Sequence, residues 1–343
     1  MIHTYITLDF LQTFFEAEPK IFLLENDQIW LQMYHLLAKA DFQRYLDVLP
    51  EELVKQSQKD KLGIHSKELL KILVDHYYSD RRLDIKELKE CRHIEPFSYI
   101  FSKSDKNSYK NLGYYSCDSY SEKVQINLLL KKKTLSISKV KEINRLKNWD
   151  ELNRYVLPFH SMIVADNYLL TEISSVSKYL KTLLSNNKHV THLTLVANLL
   201  INKDNKRRNG DNNEVIIEKR QKAENSFNEI CKNLIELNVK VSIILFNHSN
   251  EFHDRIIITN CQILTSGNSL HNYFYINGTS KLNSPTLLSI ASLVNRQDEF
   301  SYSIFANQIL SLFKDKIASE SYVKFGNPEN NPLFMLKSPN AIK

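Results

Sequence analysis

The stretch that decides the fold of this chain is residues 252–274, which read FHDRIIITNCQILTSGNSLHNYF. Successive residues of a strand point to opposite faces, so His253 and Arg255 share one face while Ile256 and Ile258 point into the opposite layer. An imidazole beside a guanidinium suits the binding of a phosphate group. The stretch therefore predicts a phosphate site at the start of an otherwise buried strand.

The spacing of this stretch resembles the signature of the phospholipase D family. Arg255 stands where that family has Lys, Asn260 stands where it has Asp, and residues 267–269 replace its Gly-Ser step. In that family the His is a nucleophile, the Lys holds the phosphate, and an active site combines two such motifs. The resemblance thus implies His253, Arg255 and Asn260 as catalytic candidates and Ser269 as a ligand-binding residue.

A closer resemblance is to the C-terminal domain of MIT-domain-containing proteins, over about residues 155–275. Its opening strand ends in an Asp-x-Tyr, which Asp166 and Tyr168 match, and the remaining matches lie in 253–274. That domain has a phospholipase-D-like fold, binds anionic lipid headgroups and is thought to lack hydrolase activity. The resemblance implies the same fold here. Residues 1–150 show no similarity to the MIT helical module.

Composition places the chain among soluble globular proteins, and its length permits two domains or one large domain. It has 343 residues, 43% hydrophobic and 24% charged, with a formal charge of +6. That charge permits binding to phosphate polymers or anionic membranes and requires neither. The four cysteines form no Cys-x-x-Cys pair, so zinc ribbons are unsupported and a reducing, cytoplasmic compartment fits best. No metal or other cofactor is expected, and the absence of long apolar runs predicts no membrane span.

The first 150 residues predict a mainly helical domain. Apolar residues recur at helical spacing after Thr7, over 28–47, after Pro50 and after Ser66, and again over 138–155. Thr7 and Ser66 are the expected N-caps. Between these helices, apolar alternation near Tyr99 and over 124–130 predicts two strands.

Residues 151–320 predict a phospholipase-D-like α/β domain in β-α-β order. Strands are expected over 160–170, 192–200, 239–246 and in a hairpin over 255–264, with helices over 173–184 and 214–237 between them. Residues 286–294 and 300–317 are interpreted as two further helices. The tail, 321–343, is expected to be loosely ordered.

Several candidate residues have competing interpretations. Asp166 ends a strand where open α/β sheets place their ligands, but it also suits the cap of the following helix. Tyr168 lines the same pocket or merely packs. Lys206, Arg207 and Arg208 either contact nucleic acid or form an exposed insertion.

The function predicted from the sequence is phosphate recognition on nucleic acid, plausibly within a bacterial defence or mobile-element system. Whether a bond is cleaved stays open: no second motif is visible, so a phosphodiesterase with His253 as nucleophile requires a homodimer or a partner chain. The alternative is a non-catalytic adaptor that binds anionic lipid or a protein partner. A third interpretation is a scaffold in which the motif only preserves the fold.

Overall fold

The computed structural model describes residues 2–18, 25–38, 42–48, 50–59, 62–75, 98–103, 106–118, 123–137, 145–187, 189–199, 213–246, 255–274, 286–297, 300–318 and 322–334. Within these residues the protein is a mixed α/β structure that contains a four-stranded sheet, an eight-stranded sheet and a two-stranded ribbon. The helices are Leu8–Glu16, Glu25–Leu37, Pro50–Lys59, Ile64–Asp75, Lys106–Lys110, Lys123–Leu130, Trp149–Leu152, Ile173–Ser185, Asn213–Leu234 and Tyr302–Ala318.

The four-stranded sheet belongs to the first half of the chain. Its strands are β1 (Ile2–Ile6), β2 (Phe42–Leu46), β3 (Ser98–Phe101) and β4 (Tyr115–Cys117), in the order β2-β1-β3-β4. All neighbours are parallel. Parallel strands need covered faces, and the buried aromatic side chains of Phe10, Phe14 and Trp30 cover one of them.

The eight-stranded sheet is formed mainly by the second half of the chain. Its strands are β5 (Lys133–Ile137), β6 (Ser161–Ala165), β7 (His192–Asn198), β8 (Lys240–Phe246), β9 (Arg255–Thr259), β10 (Gln262–Ser266), β11 (Thr286–Ser292) and β14 (Val323–Phe325). Their order is β14-β8-β7-β6-β9-β10-β11-β5, with β6, β7 and β8 parallel and every other pair antiparallel. The ribbon consists of β12 (Arg296–Gln297) and β13 (Phe300–Ser301).

Buried polar contacts join the sheets. The hydroxyl of Tyr99, on β3, donates to the carbonyl of Cys261 over 2.7 Å. The side-chain amide of Asn260 donates to the carbonyl of Gly113 over 3.1 Å. All four residues are buried, so the turn between β9 and β10 is fixed against the smaller sheet.

Most of the predicted elements in the second half are confirmed: strands β6, β7 and β8, the β9–β10 hairpin and the helices that follow β6 and β7. The helix Tyr302–Ala318 is confirmed as well. The helix predicted over 286–294 is wrong, because those residues form β11 between β10 and β5. The expected loose tail is wrong for residues 322–334. There β14 pairs with β8, and the buried side chain of Asn331 donates to the carbonyl of Met162 over 3.2 Å.

The first half departs further from the prediction, because a four-stranded parallel sheet was not expected, although the strand predicted near Tyr99 is confirmed as β3. Helices after Thr7 and Pro50 are confirmed, but the helix predicted over 28–47 ends at Leu37, and Phe42–Leu46 is a strand. Strands predicted over 124–130 are wrong, since Lys123–Leu130 is a helix that buries Ile126 and Leu129. In the described part of 138–155, helix is limited to Trp149–Leu152.

Two expected helix caps also differ. Thr7 occupies the N-cap position, but its hydroxyl contacts Asp9 and the carbonyl of Phe101 and caps no helix amide. Ser66 lies inside the helix Ile64–Asp75 and binds Glu18. Strand β5 precedes residue 151, so the large sheet takes one strand from before the predicted domain boundary.

Candidate functional site

The candidate site lies where β6 ends and β9 begins. The two strands are antiparallel, with Ala165 opposite Ile256, so the next pair along brings Asp166 beside Arg255. On the other side of β9, Arg255 is paired with Ser266 of β10. This edge is the carboxyl end of the three parallel strands, where open α/β sheets place their ligands.

Asp166 is the buried centre of this cluster, only 1% exposed. Its Oδ1 accepts hydrogen bonds from the Ser269 hydroxyl at 3.0 Å and from the Tyr168 amide at 2.9 Å. Its Oδ2 accepts from the Leu270 amide at 3.3 Å. The helix after β6 has Glu172 at its N-cap position, so the helix-cap interpretation of Asp166 is wrong. Asp166 organises the two loops that form the site.

Tyr168 is the exposed member of the cluster, with 43% of its surface accessible. The centre of the Arg255 guanidinium lies 5.8 Å from the centroid of its ring, within the range of a cation–π contact. Arg255 itself is partly exposed. A charged planar donor and an aromatic ring therefore stand together at the rim of the sheet.

The backbone amides of residues 267–269 are all hydrogen-bonded within the protein. The Gly267 amide donates to the Leu287 carbonyl, the Asn268 amide to the Ser266 hydroxyl and the Ser269 amide to the side chain of Asn268. Phosphate loops leave such amides directed at the ligand. The predicted replacement for the Gly-Ser step therefore offers no amide cradle, and Ser269 is 2% exposed. Among the described residues of this cluster, the basic side chain is that of Arg255.

Two tyrosines beneath the rim were not anticipated from the sequence. Burial raises the pKa of Tyr273 well above its usual value, and its hydroxyl is hydrogen-bonded to Ser266. Burial, followed by the charge of Asp166, raises the pKa of Tyr179. Both phenols therefore hold their protons at neutral pH. Ser266, which binds the Tyr273 hydroxyl, was also not anticipated. The signal that could have found it is the pairing of the β9–β10 hairpin, which places Ser266 opposite Arg255.

Asn260, predicted as the third residue of the motif, lies at the far end of β9 from Arg255. It is fully buried. Its Oδ1 accepts from the His160 amide at 2.8 Å, and its Nδ2 donates to Gly113 and to the sulfur of Cys261. Five residues of strand correspond to about 16 Å. The expected grouping of Asn260 with Arg255 does not occur, and its contacts are those of a structural residue.

Other predicted site residues fall outside the described part of the chain. These are His253, Lys206, Arg207 and Arg208. Among the residues that are described, no group of three or more His, Cys, Asp or Glu is arranged to hold a metal ion. No helix in the same residues is both long and apolar enough to cross a membrane.

Comparison with known proteins yields little. No family model matches the sequence, and no curated protein matches it. Among solved structures, the chain has a weak similarity to TrmBL2, an archaeal chromatin protein whose structure shows a novel mode of DNA binding. The two are 6% identical with a TM-score of 0.24, over 55% of this chain and 54% of the other. The chain thus spans about half of that structure, and a likeness this low carries no argument.

Proposed function

We propose that this protein binds the phosphate groups of nucleic acid at the rim formed by Asp166, Tyr168, Arg255 and Ser269, on a phospholipase-D-like domain. The observation that carries the proposal is the position of Arg255 at the carboxyl end of the parallel strands, beside an exposed ring. A guanidinium in such a place binds phosphate through two parallel hydrogen bonds. The formal charge of +6 favours a polyanionic ligand.

We also propose that the rim binds without cleaving. A nucleophilic histidine needs its second ring nitrogen oriented by an acceptor. In phospholipase D the resemblance assigns an orienting role to the position that Asn260 occupies. Here that side chain is bound to His160 and Gly113 at the opposite end of β9. A monomer is therefore expected to show no appreciable phosphodiesterase turnover.

Binding is tested by fluorescence anisotropy with labelled DNA and RNA over a range of salt concentrations. Affinity should fall steeply with salt, because counterions are released on binding. Arg255→Ala should weaken binding about tenfold or more, the equivalent of one charged hydrogen-bonding group. The matched control is Arg154→Ala, which removes an exposed arginine beside the other end of the sheet.

Three outcomes would contradict the proposal. One is undetectable binding at low salt, and another is an equal loss of affinity in both variants. The third is Arg255-dependent flotation with vesicles that contain phosphoinositide, in the absence of nucleic-acid binding, which would favour the lipid-binding adaptor. Non-cleavage is tested separately by metal-free phosphodiesterase turnover on the purified monomer. Cleavage that disappears in His253→Ala would overturn it.

A further inference from the structure

The rim presents the aromatic ring of Tyr168 on a backbone that hydrogen bonds hold in place. The Tyr168 amide donates to Asp166, while its carbonyl accepts from the amide of Thr171 at 3.0 Å and from the hydroxyl of Thr171 at 2.7 Å. The preceding residues are buried in β6, and Leu169 and Leu170 after it are buried as well. The backbone is thus held on both sides, yet the side chain is 43% exposed.

Burying tyrosine is favourable, so a fixed backbone that presents the ring to solvent favours a role in contact with a ligand. Within the described part of the chain, the ring contacts the guanidinium of Arg255, at 5.8 Å. Arginine is drawn to aromatic faces and to phosphate alike. A ligand that offers a flat ring and a phosphate within the span of one nucleotide would engage both residues at once.

We propose that the rim selects single-stranded over double-stranded nucleic acid, with one base stacked on Tyr168 while a neighbouring phosphate binds Arg255. In a duplex both faces of each base are covered by its neighbours, so Tyr168 would meet only the backbone. In a single strand a base is free to stack, and stacking on aromatic side chains is tolerant of sequence. This inference rests on the proposed function, since it uses the same arginine.

The test compares three labelled ligands of equal length: a single strand, its duplex, and a single strand of abasic residues with the same phosphates. Anisotropy is measured with the unmodified protein and with Tyr168→Ala, Tyr168→Phe and Arg255→Ala. Tyr168 is exposed, so its variants should melt at the temperature of the unmodified protein.

The expected result is a preference of about tenfold for the single strand over the duplex and the abasic strand, the usual contribution of one stacked base. Tyr168→Ala should lose that preference, so that the single strand binds no more tightly than the duplex or the abasic strand. Tyr168→Phe should retain it, because the ring remains. Arg255→Ala should weaken binding to all three ligands.

Equal affinity for all three ligands would overturn single-strand selectivity and leave phosphate binding by Arg255 intact. A preference that survives in Tyr168→Ala would also overturn it. If the unmodified protein binds none of the three at low salt, the proposed function fails and this inference fails with it.

Discussion

Oδ1 of Asp166 accepts the hydroxyl proton of Ser269 over 3.0 Å, although 103 residues separate them in the chain. The same carboxylate binds the amides of Tyr168 and Leu270. One buried acid therefore connects the end of β6 to the loop after β10.

We expect Asp166→Ala to lower the free energy of unfolding by about 3 kcal/mol or more, because three donors lose their charged acceptor in a buried site. Ser269→Ala removes one of those bonds together with its donor, and should cost only about 1 kcal/mol. Urea unfolding of both variants measures the difference. An Asp166→Ala loss as small as that of Ser269→Ala would contradict the assigned role.

Asn260, which stands where the phospholipase D pattern has Asp, is expected to be required for stability. Asn260→Asp restores the family's residue, but it places a carboxylate against the carbonyl of Gly113 and removes the amide donor. It should destabilise the fold by about 3 kcal/mol, as other unpaired buried charges do. Arg255→Ala, at a partly exposed position, should change stability by less than about 1 kcal/mol. Thermal and urea unfolding provide the comparison, and an Asn260→Asp variant as stable as the parent would show that this contact is dispensable.

Substitution of glycine by alanine should affect the free energy of unfolding very differently at Gly113 and at Gly267. Gly113 has φ of +80°, and an added Cβ would lie 2.7 Å from backbone atoms of Phe159 and His160. Gly113→Ala should therefore cost about 3 kcal/mol, from the left-handed backbone and the clash together. At Gly267, the nearest atom to an added Cβ is the Thr286 hydroxyl at 3.8 Å. Gly267→Ala should be close to neutral in urea unfolding, and a large loss there would show that the loop needs its glycine.

Stability should fall at alkaline pH in part because of a buried thiol. Burial raises the pKa of Cys261 from 9.0 to about 12, so the folded state keeps a proton that the unfolded chain releases. The contribution is complete below pH 9 and is lost as pH rises towards 12, at up to about 1.4 kcal/mol per pH unit. Cys261→Ala should flatten this slope in urea unfolding between pH 9 and 10.

The matched control for the thiol is Cys231→Ala, which removes a partly exposed cysteine from the helix Asn213–Leu234. Burial raises the pKa of Cys231 as well, but this thiol is only half-buried, so its removal should flatten the slope less than Cys261→Ala does. Above pH 10 the comparison loses meaning, because burial also raises the pKa of Tyr99 and Tyr115 and their ionisation adds to the slope. An unchanged slope in Cys261→Ala would contradict the prediction.

The parts of the fold that were predictable are those in which local pattern and tertiary environment agree. Strands β7 and β8 are rich in apolar residues, as strands buried on both faces are, and are buried along most of their length. The intervening helix shows the spacing of a helix packed on one side. The β9–β10 hairpin is short and local, so its presence was predicted from the sequence. Its register, which places Ser266 opposite Arg255, was not.

The parts that were missed depend on partners distant in sequence. Phe42–Leu46 continues the helical spacing of the preceding residues, but it pairs with β1, some forty residues earlier. The apolar pattern of residues 286–292 is compatible with either a helix or a strand. They form a strand because they pair with both β10 and β5. Propensity is a weak guide in such cases, because burial and cross-strand neighbours outweigh it.

The candidate site was predictable in its location and only partly in its membership. Asp166, Tyr168, Arg255 and Ser269 do come together, because the motif frame follows the strands. Asn260 does not, because five residues of extended strand separate it from Arg255, a distance that the sequence spacing already implies. Its structural role depends on Gly113, which lies 147 residues away in the chain.

The position of β5 has a consequence for how the chain folds during synthesis. Ile137 pairs with Thr286, so β5 leaves the ribosome well before its neighbour exists. At ordinary elongation rates the intervening stretch of roughly 150 residues takes about 10 to 30 s to make. The backbone edge of an unpaired strand invites pairing with other nascent chains, and lysines at a strand edge oppose such pairing. Lys131 and Lys132 lie exposed immediately before β5, where their charges act against it.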